Sequence, residues 1–193
     1  MKRLFSAALI AICAAGFAVA QETESEAAKS EEAQRADAEF PVAQEAPGAP
    51  EVRATFGDWE QTCFEMADGE NCVLIQFGKT GEGQILSRVT IEALPADAEA
   101  AAGITVIAPL GILLQAGLGF QIDDGRVNRY PFAVCEQDGC LARFGLTATE
   151  IEVLKAGEML ILNIVPAGSN GQALPLNVTL AEFSDAWDAI KPE

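Results

Sequence analysis

From residue 52 onward the chain alternates between short apolar runs and clusters of Gly, Pro, Asp and Asn. The runs are "VRATFGDWEQTC", "NCVLIQF", "QILSRVTIE", "ITVIAP", "GFQID", "RYPFAVC", "CLARFGL", "MLILNIV" and "LPLNVTL". Each is short, rich in residues that fit a pleated surface, and closed by a turn signal, so each predicts a strand. Many short strands at close spacing define an all-β domain, a sandwich or barrel, and about 140 residues suffice for one such core.

Two stretches follow the helical period instead. In "LTATEIEVLKAG", Thr147 and Glu150 have the spacing of a capping box, Ile151 and Leu154 share a face, and Gly157 ends the run. "TLAEFSDAWDAIKP" repeats the spacing with Thr179 and Glu182 and sets Phe183, Trp187 and Ile190 at i, i+4 and i+7. That stripe predicts a helix docked on the sandwich; the competing reading is a helix offered to a partner's groove.

The first fifty residues have neither pattern. Lys2 and Arg3 precede an apolar run from Leu4 to Val19 that ends in the small-residue triplet Ala18-Val19-Ala20. This is the pattern of a secretory signal peptide over residues 1–20, and the alanine-rich run is shorter than the ~20 strongly apolar residues of a spanning helix. Bulky Ile12 before Cys13 argues against a lipoprotein signal, and Cys13 would leave with the leader. Residues 21–51 are rich in Glu, Ala, Gln and Pro with Phe40 as their one aromatic. Too little apolar surface is present to offset the entropy of ordering, which predicts a disordered acidic linker. The folded domain is expected over 52–193.

Charge and composition narrow the chemistry. The whole chain carries 12 Lys and Arg against 29 Asp and Glu, a net charge of −17. Without residues 1–20 the balance is 10 against 29, or −19. Such a field repels phosphate backbones and argues against nucleic acid as a partner. The chain has no histidine, which excludes Ser-His-Asp and Cys-His catalysis and histidine-ligated metals.

The remaining cysteines form two local pairs, Cys63 with Cys72 and Cys135 with Cys140. A four-residue hairpin loop ending in Asp-Gly, "MADG" or "EQDG", places Cys63 opposite Cys72 and Cys135 opposite Cys140 when the strands are counted outward. Opposed residues of an antiparallel pair lie within disulfide reach, and an exported chain meets an oxidising compartment. Two structural staples follow. A thiol redox centre at Cys135 and Cys140 competes with this reading, but its usual form is C-x-x-C at a helix N-terminus. Zinc competes too, though only the second pair has zinc spacing.

Four segments together resemble one family. "FGDWEQTC" at 56–63, "APLGILLQAGLGFQID" at 108–123, "YPFAVCEQDGCLARFGLT" at 130–147 and the closing "LPLNVTLAEFSDAWDAI" are similar to the invasion-associated locus B proteins, exported proteins of bacterial envelopes. The resemblance runs from about Phe56 to Ile190. It implies an immunoglobulin-like β-sandwich, a periplasmic or envelope location, a role in host-cell invasion for pathogenic members, and no established enzymatic activity to carry over. No cofactor and no metal are implied.

Three stretches are candidates for binding. "APLGILLQAGLGF" is apolar or glycine almost throughout. It reads either as a mobile interaction loop presenting Pro109, Leu110, Ile112, Leu113, Leu114 and Leu118, or as core closure by Ile112, Leu113, Leu114, Leu118 and Phe120 with the glycines making the bends. "IDDGR" could suggest calcium through Asp123 and Asp124, yet it lacks EF-hand spacing and reads as a hairpin turn. In "FGDW", Phe56 and Trp59 supply rings to the core with Gly57-Asp58 as a bend. The function expected is an exported, non-enzymatic interaction or accessory module whose partner is an envelope or host-surface protein. The alternatives are a small-ligand or cation binder of the periplasm, or a thiol redox protein.

Overall fold

The computed structural model describes residues 49–66 and 69–191; the expected signal peptide and the acidic stretch up to residue 48 lie outside them. The described chain runs β1 Glu51–Phe56, β2 Trp59–Met66, β3 Gly69–Lys79, β4 Ile85–Ala93, β5 Ala102–Ala108, β6 Leu118–Ile122, β7 Asn128–Tyr130, β8 Val134–Glu136 and β9 Gly139–Leu146. It continues with α1 Ala148–Ala156, β10 Met159–Ile164, β11 Leu174–Thr179 and α2 Phe183–Ile190.

All pairings between these strands are antiparallel. One hydrogen-bonded path runs β7-β6-β10-β11-β3-β4-β5-β9-β8, with β2 joining β3 and β1 joining β2. The path changes layer between β11 and β3, which share only the register pair Asn177↔Lys79. The result is the all-β sandwich with two short helices expected from the sequence.

Side chains alternate as a two-layer core requires. In β5, Ala102, Ile104, Val106 and Ala108 are buried and the residues between them are not. In β10 the buried set is Leu160, Leu162 and Ile164. These join Trp59, Leu74, Ile91 and Leu176 in one apolar cluster. At the other margin Tyr130 stacks on Phe144 with ring centroids 3.5 Å apart, and Phe120 stands edge-on to both. This triad ties β6 and β7 to β9.

The helices behave differently at their starts. In α1 the capping box forms: Thr147 Oγ1 accepts from Glu150 N–H, and the Glu150 carboxylate accepts from Thr147 N–H at 2.8 Å. In α2 the expected box does not form. Thr179 ends β11, and Glu182 becomes the N-cap in the left-handed region (φ 60°) with no side-chain cap. The physical reason is competition for Thr179: its hydroxyl accepts from Ala181 N–H to shape the turn. Its carbonyl accepts both Trp59 Nε1–H and Gln76 Nε2–H, each at 3.1 Å. The predicted stripe holds. Phe183 and Trp187 are buried, Ile190 packs beside them, and Phe183 lies 5.3 Å from the Trp59 ring.

Two expected strands are each split. "VRATFGDWEQTC" makes a hairpin rather than a bend, with Phe56 opposite Trp59 and Gly57 at φ 58° in the tight turn. "RYPFAVC" breaks at Pro131, which cannot donate to a ladder, giving β7 and β8.

Candidate functional site

Both staples are present. Cys63–Cys72 and Cys135–Cys140 bridge directly opposed residues, with Cα atoms 4.0 and 3.9 Å apart. Glu65 faces Glu70, as counting out from the turn requires, and the ladder carries one pair further to Met66↔Gly69. The sulfurs of Cys63 and Cys72 lie near the Glu70 carboxylate, but they are bonded to each other and offer no thiolate to a metal.

The second staple does more than close a turn. It holds β8, a three-residue edge strand, against β9. The hairpin lies against the end of β5, where Cys140 faces Ala108. The approach is close enough that a Cβ on Gly139 would meet Ala108 O at 2.3 Å, and Gly139 also has φ 142°, so glycine is required there.

That contact walls one end of an open cleft of about 390 Å³. Phe77 of β3, Ile85, Leu86, Ser87 and Arg88 of β4, Ile107 and Ala108 of β5, then Pro109 and Asp138 at the hairpin tip, line it. Phe77 and Ile85 keep 38% and 56% of their surfaces in solvent, although strand patterning alone would put such residues in a core. A smaller groove of about 260 Å³ adjoins the cleft. Arg88 and Ile107 line both, and Thr90, Glu92, Gly103, Thr105, Leu141 and Arg143 complete the second.

The stretch 108–120 is divided between the two roles considered for it. Leu118 is fully buried in β6 and Phe120 nearly so; Leu118 therefore leaves the interaction set and belongs to the core. Ile112 is half-buried and bridges Pro166. Leu110, Leu113 and Leu114 point into solvent, beside half-buried Pro109. The segment is fastened by Leu113 N–H to Val165 O and Ala167 N–H to Gly111 O, both 2.7 Å. Leu110, Leu113 and Leu114 are thus displayed from a tethered backbone.

"IDDGR" has a structural task that the sequence does not reveal. Asp123, at φ 48°, accepts from Met159 N–H at 2.8 Å and from Glu158 N–H, fixing the start of β10. Tyr130 has a phenol pushed above its usual value, chiefly by burial and then by the charge of Glu150. It serves the aromatic triad and lies apart from the cleft. Sequence reasoning missed Phe77, Ile85, Arg88 and Asp138. Only the register of β3, β4, β5 and the second hairpin brings them together, and no local motif carries it.

These features define a disulfide-stapled, sheet-dominated domain with an open apolar cleft on its outer face. The chain belongs to the invasion associated locus B protein family, whose model matches residues 59–191. Two relatives are invasion protein B homologs of Brucella abortus, strain 2308 and biovar 1 strain 9-941. Each is 28% identical over 144 residues, covering 75% of this chain and 82% of the relative. The crystal structure of invasion associated protein B from Bartonella henselae shares the fold, with a TM-score of 0.61, 23% identity, and coverage of 71% of this chain and 92% of that one.

Proposed function

We propose that the protein is an exported, non-enzymatic module of the cell envelope that works by surface recognition. Its contact surface is the apolar cleft together with Leu110, Leu113 and Leu114. The observation that carries this reading is the exposure of several large apolar side chains on backbone braced by a disulfide and by cross-loop hydrogen bonds. Rigid, exposed apolar groups contribute to binding because little entropy is lost when they are covered. Two disulfides favour an oxidising compartment, and therefore export of the folded domain. Among the described residues no helix is long and apolar enough to cross a membrane. The relatives' name, invasion protein, makes an envelope or host-cell surface the place to look for the partner.

The test is photo-crosslinking in cells from a reactive residue at Leu110 or Leu113, with Val153, an exposed apolar position on α1, as control. One reproducible envelope or host-surface protein captured from the loop positions and not from Val153 is the expected result. Equal capture from all three positions, or from none, would overturn the proposal.

A further inference from the structure

The geometry points to a second use of the outer face: a binding site for a single-chain anionic amphiphile of the fatty-acid class. Its head lies between Arg88 and Arg143, and its tail lies in the apolar cleft. Register sets the polarity of the site. Arg143 faces Thr105, Ile107 faces both Arg88 and Leu141, and Cys140 faces Ala108, so the hairpin tip with Asp138 lies past the end of β5 beside Pro109. From Thr105 to Pro109 is four residues, about 13 Å along the strand. One end of this line is cationic and the other apolar.

The cations are free to bind. Arg53, Lys79, Lys155 and Lys191 each pair with a carboxylate, whereas among the described residues Arg88 and Arg143, like Arg126 and Arg129 elsewhere, have none within ion-pairing distance, and only Arg88 and Arg143 line one groove together. Arg143 Nε donates to Thr105 Oγ1 at 3.1 Å, which holds the guanidinium over β5. In a chain of net charge −17, one groove is lined by two guanidiniums without a carboxylate partner against the single acid Glu92, a net positive charge that an anionic head would offset. Glu92 lines the far end of the groove and Asp138 borders the cleft, so acids bracket the line and the arginines between them are where a negative head is favoured. Phe77, Ile85 and Pro109 then receive the tail.

The experiment is calorimetric titration of the full-length chain with dodecanoate below its micellar concentration, beside a neutral dodecyl glycoside and acetate. Saturable one-to-one binding of dodecanoate alone is expected. Arg88→Gln/Arg143→Gln should weaken it by about tenfold or more, the loss of at least one charge-assisted contact. Ile85→Glu should weaken it as well, and both variants should melt with the parent because the changed side chains face outward. Equal binding of the two surfactants, equal binding of acetate, or indifference to either variant would overturn the site. Arg143→Gln alone, at a residue that lines the second groove and not the cleft, leaves the cleft and Leu110, Leu113 and Leu114 in place. Partner capture at Leu110 therefore persists if only the ligand site fails, and is lost independently if only the partner surface fails.

Discussion

The two disulfide hairpins obey one counting rule yet have different surroundings. Cys63–Cys72 joins β2 to the eleven-residue β3, inside a ladder flanked by β1 and β4, with Cys63 buried. Cys135–Cys140 joins β9 to a strand of three exposed residues at the edge of the sheet. The first staple adds to pairing and packing that already hold its strands; the second adds to a ladder of only three pairs and closes the hairpin whose Asp138 borders the cleft. The same kind of cross-strand bridge therefore serves global stability in one place and the shape of a surface in the other.

The sharpest way to break this comparison is to remove packing rather than sulfur. Trp59 is fully buried in β2, touches Phe183 and donates to Thr179 O, so Trp59→Ala should cost about 3 to 5 kcal/mol by denaturant unfolding. A cost smaller than that of cutting the neighbouring disulfide would show that packing does not dominate there. Next in size is Cys63→Ser/Cys72→Ser, which on the loop-entropy model lowers global stability by roughly 2 to 3 kcal/mol. Cys135→Ser/Cys140→Ser should cost less globally, because β8 can fray without unfolding the core. Its signature is local, with faster hydrogen exchange at Ala133, whose N–H is held by Leu141 O at 2.7 Å. Equal exchange at Ala133 in both double variants would erase the distinction.

A smaller effect is expected at the helix that connects the layers. Thr147→Ala removes the capping box of α1 and should cost about 1 kcal/mol, read from a shift in the urea midpoint at unchanged slope. The smallest effect is electrostatic. Asp188 titrates below the usual carboxylate range because Lys191 donates to it at 3.0 Å, with the charges of Lys191 and Lys155 adding. A lowered folded pKa gives stability that is full above the unfolded value and lost as pH falls through the folded one. Asp188→Asn should therefore narrow the stability gap between neutral pH and pH below 3.8, with a wider gap contradicting that sign.

How much of this was legible beforehand depends on whether a feature is local. The hairpins were readable because a turn and its flanking cysteines lie within ten residues, and the α1 cap because Thr147 and Glu150 are neighbours. The cap expected at Thr179 failed because two residues from distant strands, Trp59 and Gln76, claim its carbonyl while the turn takes its hydroxyl. The leucine stretch was ambiguous because composition does not tell which leucine faces in; the ties to Val165 and Ala167 decide it. The cleft was invisible, since Phe77, Ile85, Ile107 and Asp138 become neighbours only through the register of four strands.

The most direct test measures partner capture from Leu110 in Cys63→Ser/Cys72→Ser and in Cys135→Ser/Cys140→Ser, at a temperature where both variants remain folded. If the second hairpin braces the recognition surface, capture persists in the first variant and falls away in the second. Capture that survives loss of Cys135–Cys140, or that falls equally in both, would contradict the assignment of recognition to the braced cleft.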